Sequence, residues 1–148
     1  MVDVLIRPEV RAFVPGSSRL LLARRLRAAL RALDRSGSDA TVLLTGDEEI
    51  RALNRRYRKL DRATDVLSFH QQELSGEADP AGDGVFLGDI VVSVETAMRH
   101  TSRQRLDAEL LRLAIHGLCH LFGHDHHRPA QARLMRGLEH RLSRALRC

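Results

Sequence analysis

The sequence is poor in aromatic residues and cysteine, and it contains only one lysine. Aromatic residues make up 3% of the 148 positions, with one tyrosine, four phenylalanines and no tryptophan. RNA-binding sheets of the RRM or OB type stack bases on aromatic rings, so this scarcity argues against such a platform. Two cysteines, Cys119 and Cys148, cannot build a disulfide-rich secreted domain. No run of about 18 consecutive apolar residues is present, which argues against a transmembrane helix.

The first residues also lack the pattern of a secretion signal. Between Met1 and Arg11, Asp3 and Glu9 interrupt the apolar residues, and no hydrophobic signal-peptide core is present. Together with the cysteine count, this predicts a reduced, cytoplasmic protein that makes no contact with a membrane.

Arginine and histidine are abundant, and the charges fall into blocks. Of the 24 Lys+Arg residues 23 are arginine, eight residues are histidine, and the net charge is +5. Residues 1–62 carry a net charge of +6, residues 63–98 a net charge of −7, and residues 99–148 a net charge of +6. One interpretation is a basic surface for a polyanion, and the other is basic solvated helix faces around a neutral core.

Hydrophobic periodicity predicts a single α+β domain over residues 1–148. Strands are expected at Val2–Ile6, Ala40–Leu44, Thr64–Phe69 and Leu87–Val92. Helices are expected at Arg19–Leu33, Val94–His100, Gln104–Phe122 and Pro129–Leu146. A further helix is expected to begin at a capping box formed by Thr45 and Glu48 and to end at about Arg58. The segment between the third and fourth strands is predicted to be a long loop. The expected fold is a small mixed sheet of about four strands, packed with about five helices around one central helix.

The strongest motif is a group of three histidines at the end of the central predicted helix. His116 and His120 are four residues apart, so both imidazoles project from one helix face, about 6 Å apart along its axis. Gly123 can adopt a positive φ, end the helix and return the chain so that His126 supplies a third nitrogen. Three imidazoles and one open position are the ligand set of a catalytic Zn²⁺ ion, here one per chain. Because buried imidazoles without partners are costly, this pattern favours a metal site over core histidines.

His124 and His127 are alternatives for the third ligand, and spacing alone leaves them open. Zinc peptidases of the H-E-x-x-H-x-x-G-x-x-H type share this spacing, with a catalytic glutamate directly after the first histidine. Gly117 occupies that position here. A peptidase is therefore disfavoured unless a carboxylate comes from elsewhere in the chain.

Several motifs together resemble the YbeY family of endoribonucleases, which mature and quality-control ribosomal RNA. The family signature H-G-x-L-H-L-x-G-Y-D-H is matched by residues 116–126, with Cys119 in place of leucine and His124 in place of tyrosine. Further matches are LNRRYR at residues 53–58, TDVLSF at 64–69 and LGDI at 87–90. The element order and the chain length agree as well, so the resemblance covers essentially the whole chain.

This resemblance implies a zincin-like, zinc-dependent endoribonuclease specific for single-stranded RNA. It implies that His116, His120 and His126 bind the metal and that Arg58 lies in the cleft. His116 and Arg58 would then be catalytic, with a zinc-bound hydroxide attacking the phosphodiester and Arg58 binding the phosphate. The implied substrate is rRNA, especially the 3′ end of 16S rRNA. The implied partners are the small ribosomal subunit, the GTPase Era and a small-subunit ribosomal protein.

Other residues of the matching motifs have open roles. The third predicted strand is expected to border the cleft, where Ser68 could guide a single strand, and Asp89 is expected to support the site or the fold. Asp125 either orients an imidazole or stabilises the turn, and Cys119 is expected to be a packing residue rather than a thiolate ligand. Two other functions stay open, namely a metal-dependent hydrolase of peptides or small molecules and a ribosome-assembly factor that zinc only stabilises. The sequence does not predict the oligomeric state.

Overall fold

The computed structural model describes residues 1–70 and 86–122, together with Gly137 and His140. Its four strands lie in the spatial order β1-β2-β4-β3, and they are β1 Val2–Ile6, β2 Asp39–Thr45, β3 Val66–His70 and β4 Phe86–Ser93. Strands β1, β2 and β4 are parallel, whereas β3 is an edge strand that pairs antiparallel with β4. All four predicted strands are confirmed, with ends that shift by at most two residues. The predicted long loop lies outside the described residues.

The described part of the chain contains four α-helices, which are α1 Gly16–Ala32, α2 Asp47–Arg58, α3 Val94–His100 and α4 Leu106–Leu121. Two short 3-10 helices precede α1 and α4, at Pro8–Phe13 and Arg103–Arg105. The last predicted helix, Pro129–Leu146, lies outside the described residues except for Gly137 and His140, which are helical. None of the helices that the structure describes is long and apolar enough to cross a membrane.

Different helices cover the two faces of the sheet. Helices α1 and α4 pack on one face and form the main core, which includes Val42 and Ile90 from the sheet. Nine of the 16 residues of α4 are buried, as its nearly continuous apolar sequence predicts. Cys119 belongs to this core and is 0% exposed, as expected of a packing residue. Helix α2 lies on the opposite face, over a smaller cluster that contains Phe69 and Val91.

The N-terminus of α2 is capped differently from the sequence prediction. The predicted capping box of Thr45 and Glu48 is wrong, because the N-cap residue is Gly46 and the Thr45 hydroxyl donates to Glu49 Oε1 at 2.6 Å. The N–H of the first helical residue donates instead to Glu95 Oε1 of α3 at 2.7 Å. A Cβ atom on residue 46 would collide with this carboxylate. Glycine therefore makes room for a cap from the neighbouring helix.

Asp47 joins α2 to the junction of β4 and α3. Its carboxylate accepts hydrogen bonds of 2.6 Å from Ser93 Oγ and from Thr96 Oγ1, and it lies 2.8 Å from Arg99 Nη1. Burial alone would raise the pKa of Asp47, but these three partners hold it below its usual value. The ionised carboxylate therefore stabilises this junction.

Candidate metal and phosphate site

His116 and His120 come together on one face of α4, as the sequence predicts. Their Nε2 atoms lie 3.1 Å apart, and the ring centroids lie 4.7 Å apart with an interplanar angle of 70°. Two nitrogens bound at about 2.0–2.1 Å to one tetrahedral zinc ion would be about 3.3 Å apart. The spacing of the two imidazoles therefore suits a shared metal ion.

The third predicted ligand, His126, lies outside the described residues, as do its alternatives His124 and His127 and the neighbouring Asp125. Among the residues that the structure describes, no group of three His, Cys, Asp or Glu side chains is placed to hold a metal ion. The structure thus brings together two of the three predicted ligands, and the third stays a prediction.

Gly117 allows α4 to approach the sheet next to the histidine pair. A Cβ atom at this position would lie 2.6 Å from Ile90 Cγ2 and 3.0 Å from Ser68 Oγ. The carbonyl oxygen of Gly117 accepts a 2.9 Å hydrogen bond from Ser68 Oγ. A glutamate here would therefore point into the packed sheet, so α4 has no space for the general base of a zinc peptidase.

Ser68 also links the histidine pair to Arg58, the predicted phosphate ligand. Arg58 is the last residue of α2 and is exposed, and its Nη2 donates a 2.7 Å hydrogen bond to the carbonyl oxygen of Ser68. Its Cζ atom lies over the Phe69 ring, 4.9 Å from the centroid. The Ser68 side chain bonds to Gly117, the residue next to His116, and the Ser68 carbonyl group binds Arg58. This one residue of β3 therefore connects Arg58 to the helix that carries His116, the other predicted catalytic residue.

The outer edge of β3 presents backbone groups to this site. The N–H of Ser93 donates to the carbonyl oxygen of Asp65 at 2.9 Å, so these two residues are a hydrogen-bonded pair of the ladder. Hydrogen-bonded pairs alternate along an antiparallel ladder, which directs the carbonyl group of Ser68 away from β4. Arg58 binds this outward carbonyl group, and the cleft expected beside the strand stays a prediction.

Tyr57 and Phe69 form a small aromatic group beside Arg58, which the sequence analysis missed. Their ring centroids lie 5.2 Å apart with an edge-to-face angle of 64°, and Arg56 Cζ lies 5.2 Å from the Tyr57 centroid. The low aromatic content argued against stacking, yet two of the five aromatic side chains meet here. The available signal was their position, because each ring belongs to a motif of the family resemblance.

Asp89 lies on the sheet face opposite the histidine pair. Side chains alternate across a strand, so Ile90 faces α4 while Asp89 lines a cavity of about 340 Å³ on the side of α2. Burial raises the pKa of Asp89, and a hydrogen bond with Thr41 partly opposes this effect. Asp89 therefore does not support the histidine pair directly, and no sequence pattern indicated the cavity.

Comparisons with known proteins find relatives over most of the chain. A family model described as Endoribonuclease YbeY matches residues 20–147. The chain is 50% identical over 129 residues to Endoribonuclease YbeY of Anaeromyxobacter sp. (strain Fw109-5), and 47% identical over 129 residues to that of Anaeromyxobacter dehalogenans (strain 2CP-C). Each alignment covers 83% of this chain but 64% of the relative, so the chain spans less than two thirds of their length. The solution structure of TM1509 from Thermotoga maritima matches with a TM-score of 0.64 and 25% identity, over 99% of this chain and 89% of that chain.

Proposed function

The chain belongs to the YbeY family of endoribonucleases, and from this premise we propose that it is a zinc-dependent endoribonuclease specific for single-stranded RNA. The observation that carries the proposal is the arrangement around Ser68, which places Arg58 on one side and the residue next to His116 on the other. We further propose that it acts in the cytoplasm on rRNA, at the 3′ end of 16S rRNA. Its partners would be the small ribosomal subunit, the GTPase Era and a small-subunit ribosomal protein.

His116, His120 and His126 would hold the zinc ion in a zincin-like arrangement, with α4 as the metal-binding helix. The 3.1 Å separation of the first two Nε2 atoms supports this assignment. Zinc, when bound, supplies an activated water near neutral pH and a positive charge for a phosphoryl oxygen. Gly117 and Ser68 tie α4 to β3 next to the first of these imidazoles.

Arg58 would bind the phosphate at the point of cleavage. Its guanidinium is planar and permanently charged, which suits paired hydrogen bonds to phosphate oxygens. The contacts with the Ser68 carbonyl and the Phe69 ring fix this side chain at the edge of β3. A side chain that is held in place before binding loses less conformational entropy when the phosphate arrives.

The alternative of a peptide hydrolase is disfavoured by the packing of Gly117, which leaves α4 no space for a glutamate. The alternative of an assembly factor differs from the proposal in one measurable respect. Such a protein would keep its zinc ion but would not cleave RNA.

Cleavage of an unstructured RNA that contains the 3′ end of 16S rRNA tests the proposal directly. Purified protein is expected to contain about one zinc ion per chain by elemental analysis and to cleave this RNA. His116→Ala should lose both the zinc and the cleavage. His100→Ala, at an exposed histidine that ends α3, should retain both. Full cleavage by His116→Ala would reject the proposal, and zinc without cleavage in the wild type would favour the assembly factor.

Arg58→Ala tests the phosphate contact separately. This variant should weaken RNA binding for all sequences and reduce the slope of log K against log salt concentration by about 1. Arg55→Ala is the matched control, because it removes the same charge from an exposed position on the same helix. Equal losses in the two variants would contradict a specific role for Arg58.

A further inference from the structure

We propose that the cavity on the α2 side of the sheet is a nucleobase subsite, in which Asp89 selects bases that carry an exocyclic amino group. We call it the base cavity, and its lining includes Thr41, Leu43, Leu53, Tyr57, Phe69 and Asp89. The identity of its occupant rests on the proposed function, since an RNA substrate is what would bring a nucleobase to this site.

Phe69 connects the base cavity to Arg58. The ring of Phe69 lines the cavity, and the guanidinium carbon of Arg58 lies 4.9 Å from its centroid. In a nucleotide, only the ribose separates the base from the phosphate. A phosphate bound by Arg58 therefore leaves a neighbouring base within reach of the cavity, provided that the base is unstacked, as it can be in single-stranded RNA.

The size and walls of the base cavity suit a flat, partly apolar ligand. Its volume of about 340 Å³ falls in the range of about 300–1,000 Å³ that is common for small-molecule sites. Leu43 and Leu53 provide apolar surface. Tyr57 is 41% exposed and touches Phe69 edge to face, so its ring is accessible for stacking. Stacking on such rings is the usual way in which proteins hold unpaired bases.

Asp89 gives the base cavity its chemical preference. The sheet register places it between Thr41 on β2 and Phe69 on β3. Arg7, which lines the same cavity, makes a two-bond ion pair with Glu49, with both N–O distances 3.0 Å. Arg7 therefore has a carboxylate partner of its own, and Asp89, which shares a hydrogen bond with Thr41, keeps acceptor capacity for a ligand.

A carboxylate accepts hydrogen bonds from the amino group of cytosine, and adenine and guanine also carry amino groups. In the pose that brings the cytosine amino group to Asp89, uracil would place its carbonyl oxygen there instead and would meet the carboxylate acceptor to acceptor. A buried polar group left without its partner costs more than a formed hydrogen bond returns. We therefore expect the base cavity to discriminate against uracil.

Mononucleotides test this inference without depending on cleavage, because they contain a base and a phosphate but no phosphodiester bond. Zinc-loaded wild-type protein should bind cytidine 5′-monophosphate about tenfold more tightly than uridine 5′-monophosphate, as measured by titration calorimetry. Asp89→Asn, whose amide can donate to the uracil oxygen, should abolish or reverse this preference. Equal binding of the two nucleotides by the wild type, or an unchanged preference in Asp89→Asn, would overturn the inference.

Tyr57 provides an independent test of stacking. Tyr57→Ala should weaken binding of both mononucleotides about tenfold, whereas Tyr57→Phe, which keeps the ring, should bind as the wild type does. Thermal unfolding of both variants verifies that they are folded, and unweakened binding by a folded Tyr57→Ala would overturn the stacking role. RNA cleavage by the wild type without any base preference would overturn the base cavity alone. A cytidine preference in a protein that cleaves no RNA would instead reject the nuclease and retain the cavity.

Discussion

Gly88→Ala is expected to destabilise the protein strongly, because Gly88 lies where β3, β4 and α4 meet. Its φ is +143°, a conformation that residues with a side chain rarely adopt. A Cβ atom at this position would overlap the carbonyl oxygen of Phe69 and approach Leu121 Cδ2 to 3.0 Å and the Cα of His70 to 3.1 Å. Two of these three obstacles are backbone atoms, which cannot move away by a change of rotamer.

Two separate costs contribute to the effect of Gly88→Ala. Backbone strain in such a conformation costs about 1–3 kcal/mol, and overpacking of a closed core costs about 1–3 kcal/mol. Together they lower the free energy of unfolding by about 2–6 kcal/mol, out of the about 5–15 kcal/mol that is typical of a domain. With a urea m-value of about 2 kcal/mol/M, the unfolding midpoint should fall by about 1–3 M.

Equilibrium urea unfolding followed by circular dichroism measures this shift. Gly16→Ala is the matched control, because Gly16 begins α1 and no atom lies within 4 Å of its added Cβ. In the control the same chemical change should raise the free energy of unfolding by up to about 1 kcal/mol. If the midpoint of Gly88→Ala equals that of the wild type, or if both variants shift alike, the close approach of the three elements is refuted.

Three further changes test other parts of the fold. Asp47→Asn should lower the urea midpoint at about pH 7, because the lowered pKa of Asp47 means that its partners stabilise the ionised form. This loss of stability should fade as the pH falls below about 4, and a loss that does not depend on pH would contradict the prediction. The sign is opposite for Asp89, whose raised pKa favours the protonated form. The stabilisation that comes from this shift is present below about pH 3.9 and is lost as the pH rises. Asp89→Asn should therefore raise the urea midpoint at about pH 7 but not at about pH 3.5, and a lower midpoint at pH 7 would refute this expectation. Gly117→Ala should lower the urea midpoint even though alanine has the better helix propensity, because its Cβ would press on Ile90. The loss should be smaller in an Ile90→Ala background, and additive effects in this double-mutant cycle would contradict the contact between the two residues.

The secondary structure could be predicted because it depends mainly on local periodicity. Helix α3 has the predicted bounds, Val94–His100, and the apolar sequence of α4 correctly indicated a buried helix. The capping of α2 could not be predicted from a local pattern, because Glu95 reaches the helix from a segment far along the chain. The strand order has the same origin, since the position of β3 at the sheet edge depends on packing between distant segments.

The candidate site likewise has a part that local sequence determines and a part that depends on contacts between distant segments. The spacing of His116 and His120 fixes their geometry within one helix, so their convergence follows from the sequence. Considered alone, Arg58 resembles any exposed helical arginine, and only the family resemblance directed attention to it. Its contact with Ser68 depends on how the end of α2 meets the edge of β3, which no local pattern encodes.

In our proposal, alternation along β3 lets a small sheet bind a phosphate at its edge and a base on one of its faces. Ser68 faces α4 and the histidine pair, the next residue, Phe69, faces the base cavity, and Arg58 contacts both of them. Asp89 is the residue that costs stability in this arrangement, because its ionised form is partly buried. An asparagine would avoid this cost in the folded protein, so a structural role alone does not account for the carboxylate. If Asp89→Asn both raises the urea midpoint at neutral pH and removes the preference for cytidine, a single, partly buried charge explains the two effects.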